Sequence, residues 1–216
     1  MIVRWLDRYE AGEHILVWEE MRDLGGAIRE SAVREDAVAV AHATMRRVRT
    51  NIERLIAEWR ALGWTFALPD PLARSSDPKA SLDRFESEVG PIAIALRAFY
   101  EVIGGICFAG RAEREWAPHR SSEILHVEPF EPQLDPLLDA DPDFREARIA
   151  GLLMAPLPDS GADSVLAKDG GNMIVEGAPL FFVTYLRLVI LEHGGLGLSM
   201  PPASIRSRLS AALVAF

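Results

Sequence analysis

The sequence predicts an α+β protein: a helical N-terminal lead-in, then a mostly antiparallel or mixed sheet with helices mainly on one face. Three observations lead there. Apolar residues recur at helical spacing through the first third of the chain. Leu82 to Phe108 reads as two short helices, broken at Gly90-Pro91 and stopped at Gly104-Gly105, that run into a short apolar stretch. From Glu123 onward short apolar runs alternate with prolines and glycines, as strands and turns do.

In the lead-in, Ile15, Trp18, Met21, Leu24 and Ile28 form one expected stripe, which Gly25-Gly26 weakens or ends. A longer helix follows from about Val33 to Leu62. Its core positions are Val33, Ala37, Val40, Ala41, Met45, Val48, Ile52, Ile56, Trp59 and Leu62, with Arg54 and Glu58 spaced for an i,i+4 pair. At 1.5 Å per residue it spans about 45 Å, so it lies across the body of the domain or protrudes as half of a helical hairpin. Trp64 to Leu68 reads as a short strand or extended link, and the proline-rich stretch to Pro78 as a loop. That loop divides the chain into a helical extension, 1–68, packed on a main domain, 69–216.

Ser81 is placed to cap the next helix, with Leu82, Phe85 and Val89 pointing inward. In the second helix Ile92, Leu96, Phe99 and Ile103 share a face, and Ile106-Cys107-Phe108 reads as a buried strand that makes Cys107 a structural thiol. Ile124 to Val127 and Pro136 to Leu138 are short strand candidates, and Phe144 to Met154 a small helix. Ser164–Ala167 and Asn172–Val175 read as a hairpin joined by Lys168-Asp169-Gly170-Gly171. An apolar helix from Leu180 to Glu192 ends at His193-Gly194-Gly195, and a last helix covers Ala203 to Val214.

Composition excludes several classes. Hydrophobic residues make up 49% and charged residues 25% of the 216 positions, as in globular proteins. A net charge of −9 argues against a broad nucleic-acid surface and suits a basic protein partner. One cysteine cannot form an internal disulfide. The charged opening MIVRWLDRYE lacks the apolar segment of a signal peptide, and Arg187 interrupts the longest apolar run. A cytoplasmic location without membrane insertion is the expectation.

Chemistry-bearing patterns are incomplete. Asp139, Asp141 and Asp143 alternate as at the start of a calcium loop, but Phe144 stands at the turn-glycine position and Ala150 at that of the bidentate glutamate. His126-Val127-Glu128 lacks the thiolate pair of a zinc deaminase, and the 5 histidines show no metal-ligand spacing. No nucleophile elbow, phosphate-binding loop or dinucleotide fingerprint occurs. The expectation is therefore no enzyme, no cofactor and no metal. A deep pocket with converging ionisable side chains would reopen the enzymatic reading. Charge is uneven: Glu123, Glu128, Glu131, Asp135, Asp139, Asp141, Asp143, Glu146, Asp159, Asp163 and Asp169 are opposed over that stretch only by Arg145, Arg148 and Lys168. Such a run is a solvated face or a field that steers a basic partner. The candidate partner-binding residues are Trp116, in a polar loop, with Glu123, Glu128, Glu131, Asp135, Asp139, Asp141 and Asp143.

Glu86, Gly90, Leu96, Phe99-Tyr100, Gly104-Gly105 and Phe108 occur in an order that resembles the SUKH superfamily, the Smi–Knr-like proteins. Phe182-Val183-Thr184-Tyr185-Leu186-Arg187 and Gly194-Gly195 resemble that family's late helix and closing glycine pair. Pro91 directly after Gly90, Cys107, and Leu196 after the last glycines depart from the pattern. The resemblance covers about Leu82 to Leu196. It implies a SUKH-like fold over 69–216 and a non-enzymatic protein-binding module of the bacterial immunity type, which neutralises a cognate toxin, with a basic toxin domain as the expected partner. The alternative is a regulatory scaffold that forms a homodimer through its N-terminal helices.

Overall fold

A computed structural model describes residues 4–29, 32–73, 77–112, 125–127, 129–130, 139, 161–163, 167–168, 171–172, 174–175, 178–195 and 203–216. Helices α1 (Trp5–Glu10) and α2 (His14–Asp23) lead through a 3-10 turn at Gly25–Arg29 into the long helix α3 (Arg34–Ala61). α3 matches the expected span to within a residue at each end. It buries the expected stripe from Ala37 to Trp59 and adds Leu55, Thr44 and Asn51.

α2 departs from the expected stripe. Val17, Trp18 and Met21 are buried, whereas Ile15 is 59% and Leu24 39% exposed. The reason is geometric. Steps of three residues drift by about 60° each around a helix of 3.6 residues per turn. A face centred on Trp18 and Met21 therefore leaves Ile15 and Leu24 outside it.

Strand β1 (Trp64–Phe66) follows α3, then β2 (Leu72–Ala73), within the stretch read as loop. Helix α4 (Pro78–Glu88) is capped by Asp77, whose carboxylate accepts from the Ala80 N–H at 3.1 Å, with Pro78 in the first turn. Ser81 is thus one turn inside the helix and not its cap. Val89 is 36% exposed because the helix has already ended there. Gly90, at φ +139°, turns the chain into the extended link before α5 (Ile94–Val102). Ile92, Leu96, Phe99 and Ile103 are all buried, as their spacing indicates.

β3 (Gly105–Cys107) pairs antiparallel with β2 on one side and with β5 (His126–Val127) on the other. Between them, β4 (Gly110–Ala112) returns to pair with β1, Thr65 opposite Arg111. Cys107 is half-buried rather than fully enclosed. Two further antiparallel pairs follow: β6 (Ala167–Lys168) with β7 (Gly171–Asn172), and β8 (Ile174–Val175) with β9 (Ala178–Pro179). Lys168 stands opposite Gly171, so the expected hairpin is tighter than its sequence reading. Ile174-Val175 belongs to the next pair.

Helix α6 (Phe182–Arg187) continues as a π-helical turn, Leu188–Glu192, to Gly194 and Gly195, both at positive φ. α7 (Ala203–Ser210) is shorter than expected, because the residues after it are taken up by side chains of α3. Asn51 donates to Val214 O at 2.7 Å and accepts from its N–H at 2.9 Å, and Arg54 donates to Ala212 O at 2.6 Å. Glu58 binds Arg208 at 2.7 Å, so the expected Arg54–Glu58 pair does not form; Arg49 and Glu53 make an i,i+4 pair instead.

The fold is α+β, mainly helical, and every ladder among the described residues is antiparallel. One hydrophobic core holds it together, with buried residues from Trp5 to Phe216 in a single cluster. α3 packs chiefly on α5, Phe99 of α5 meets Phe182 of α6 edge-on at 5.4 Å, and Trp59 donates to Gly194 O at 2.6 Å. The core is thus continuous across the loop at 68–78. Among the described residues no helix is long and apolar enough to cross a membrane. Pro136–Leu138 and Phe144–Met154 lie outside the described residues.

Candidate functional site

Two surfaces stand out. The first is the outer face of α2. Burial of Val17, Trp18 and Met21 turns Ile15 and Leu16 outward as neighbours, 59% and 54% exposed, with Leu24 two turns on. Acids surround them: Glu10, Glu13, Glu19, Glu20 and Asp23 are all exposed. Arg8 answers two of these, reaching Glu13 and Glu20 at 2.7 Å each. The Arg8 hydrogen bonds hold the Glu20 carboxyl below its ordinary range. Glu10 and Asp23 have no cationic partner among the described residues, and Glu19 favours the charge on Arg187. Ile15 and Leu16 form an exposed apolar pair on one face of α2, with Glu19 and Asp23 on the following turns of that face and Leu24 half a turn round from Ile15.

The second is a cleft of about 460 Å³ between α3, α4 and α5. Helical spacing places its walls. Arg34, Glu35, Val38 and His42 come from one side of α3, Lys79, Asp83 and Glu86 from α4, and Ile94, Arg97, Ala98 and Glu101 from α5. Arg29 and Ile92 close its ends. Arg97 is the hub: its guanidinium meets Glu86 at 2.5 Å, Asp83 at 2.6 Å and Glu101 at 3.0 Å. Burial opposes the charge on Arg97, but Asp83, Glu86 and Glu101 outweigh it and raise its pKa. Glu101 also accepts from His42 Nε2 at 2.9 Å. That bond first, and Arg97 second, hold its carboxyl below the usual carboxylate range despite burial. Lys79 and Arg97 likewise depress Asp83.

Glu86 has a further role. It accepts the Ile92 N–H at 3.0 Å, while Arg29 donates to Ile92 O at 2.8 Å, so both backbone groups of the link before α5 are held by side chains. Burial lowers the pKa of Arg29; Glu86 opposes that shift and Arg34 adds to it. The cleft brings ionisable groups together, the feature named above as one that would reopen the enzymatic reading. Its His42–Glu101 pair is the orienting half of a general-base arrangement. No serine, threonine or cysteine lines it among the described residues. No group of His, Cys, Asp and Glu among the described residues is arranged to hold a metal ion.

Of the residues expected to bind a partner, Asp139 is described, and it is exposed. Trp116, Glu123, Glu128, Glu131, Asp135, Asp141 and Asp143 lie outside the described residues. Asp163, counted above in the acidic run, is not part of an exposed field. It is fully buried and accepts from Arg22 Nη2 at 2.9 Å and from the Val183 N–H at 3.3 Å. Neither α2's outer face nor the cleft was singled out from sequence. The α2 face had a signal, the strict three-residue spacing; the cleft had none, since its charged residues read as ordinary solvated helix faces.

Comparison of the chain with protein-family models, with curated proteins and with solved structures gives no match in any of the three.

Proposed function

We propose that this is a non-enzymatic protein-binding module of the immunity type, which neutralises a basic toxin domain in the cytoplasm. The carrying observation is the outer face of α2, where Ile15 and Leu16 stand exposed beside Glu19 and Asp23. An apolar centre supplies binding energy, at about 25 cal/mol per Å² buried. An acidic rim speeds encounter with a basic partner and rejects an acidic one. The net charge of −9 acts in the same direction. The immunity assignment itself comes from the SUKH-like order of motifs, from Glu86 to Phe108 and from Phe182 to Gly195. On this reading neither cofactor, nucleic acid nor membrane is a partner.

Calorimetric titration with the product of the neighbouring gene, at low and high salt, tests the reading. Ile15→Asp with Leu16→Asp should weaken binding by about a hundredfold, as loss of buried anchors does. Charge reversal of Asp139, Asp141 and Asp143 asks whether the acidic half takes part. If it leaves affinity and salt dependence unchanged while the α2 variant fails to bind, contact lies on α2 alone.

The alternative reading, a scaffold that dimerises through its N-terminal helices, draws on the same exposed patch. It would set Glu19 and Asp23 against their own copies across a two-fold interface, a like-charge arrangement that disfavours it. A monomer in sedimentation velocity at low salt supports the first reading; a dimer lost on Leu16→Asp supports the second.

A further inference from the structure

The cleft between α3, α4 and α5 shares no residue with the α2 face, and its charges are unevenly satisfied. On the α4–α5 side Asp83, Glu86 and Glu101 are all bound to Arg97. At the α3 end the balance differs. Arg29 is half-buried, yet its one hydrogen bond among the described residues is Nη2 to Ile92 O at 2.8 Å. Arg34 lines the same end and has no hydrogen bond or ion pair among the described residues. It lies near enough to disfavour the charge on Arg29. A guanidinium carries five N–H donors in a planar fork that matches carboxylate or phosphate. Desolvating one without a matched anion is costly, and a bound anion offsets that cost. Beside the two arginines the cleft is lined by Val38, Ile92, Ile94 and Ala98, and its volume of about 460 Å³ lies in the range of small-molecule sites.

We propose that this cleft binds a small organic oxyanion, with its carboxylate or phosphate on Arg29 and Arg34 and a compact apolar body against Val38, Ile92, Ile94 and Ala98. Arg97 and Lys79 offset two of the three charges of Asp83, Glu86 and Glu101, so the anion sits at Arg29 and Arg34, where it competes with Glu86 for the charge of Arg29. Glu35, exposed beside Arg34 at the rim, is the one lining carboxylate without a cationic partner among the described residues, and it limits the site to a singly anchored anion.

The test is titration of the full chain with benzoate, phenyl phosphate, benzamide and inorganic phosphate, read by calorimetry and by the ring resonances of His42. Benzoate or phenyl phosphate should bind saturably and shift the His42 signals. Benzamide, without charge, and inorganic phosphate, without an apolar body, should each bind at least about tenfold more weakly. Whichever of the first two binds more tightly identifies the anion. Arg34→Gln, at an exposed position that makes no contact needed for folding, should weaken the better ligand about tenfold, and Arg29→Gln as much or more. The proposal fails if no probe binds saturably in the millimolar range, if benzamide or inorganic phosphate binds as well as the organic anions, or if Arg34→Gln binds like the parent.

Discussion

At the scale of single residues, Asp163 tests how the core tolerates charge. Its carboxylate is fully buried against Arg22, itself 15% exposed, so Asp163→Ala strands a guanidinium beside α6. Loss of about 3 kcal/mol is expected in urea denaturation, as for other broken buried pairs. Tyr9 should behave oppositely. Its hydroxyl is buried without a hydrogen bond among the described residues, the nearby Thr44 hydroxyl being engaged by Trp18 Nε1 and Val40 O. Tyr9→Phe should therefore be neutral or stabilising. Glu101 sets a pH dependence. Its folded pKa is depressed by His42 and Arg97, so its contribution is complete above the unfolded glutamate value of about 4.3 and is lost as pH falls through the lower folded value. Stability of the parent should fall between pH 5 and strongly acidic conditions more steeply than that of Glu101→Gln. Parallel curves would remove Glu101 from the account. None of these pairings was legible in the sequence. Asp163 looked like one acid in a run of acids, because its partner stands 141 positions away.

Elements were legible where their periodicity was complete. α3 carries its apolar positions at mixed three- and four-residue steps and formed at its expected limits. α2 has mostly three-residue steps, and the drift turned Ile15 and Leu24 outward. The cap of α4 shows a local competition that the sequence left open. Asp77 and Ser81 both precede apolar residues, and Pro78, fixed at a helical φ but lacking an N–H, selects the earlier start. Asp77→Ala should cost about 1 kcal/mol, while Ser81→Ala should cost little; the reverse order would restore Ser81 as the cap. The Gly194-Gly195 turn illustrates a different limit. Its glycines read correctly as a helix stop, but the sequence could not show that Gly195, at φ +87°, lies against the Phe108 ring, where a Cβ would overlap it. The two stretches that carry the family resemblance thus meet in the core, bridged also by Leu125, which accepts from the Phe108 N–H at 3.0 Å and donates to Gly195 O at 3.1 Å.

At the scale of the whole molecule, α3 does what its length suggested and crosses the body. It supplies one face to α5 and a polar stripe, Asn51, Arg54 and Glu58, to α7 and the residues after it. The core runs through both sides of the 68–78 loop, so residues 69–216 expressed alone should lack cooperative unfolding. A sharp transition for that fragment would establish it as an independent domain. The cleft was invisible beforehand because its walls are brought together only by the packing of α3, α4 and α5. The proposed partner contact lies on α2, where Ile15 and Leu16 stand exposed beside Glu19 and Asp23. The most direct measurement is calorimetry of the full chain with the neighbouring gene's product, parent against Ile15→Asp/Leu16→Asp, at two salt concentrations. The expected result is a tight complex that weakens with salt and is about a hundredfold weaker in the variant. No complex, or one indifferent to both salt and the substitutions, would contradict it.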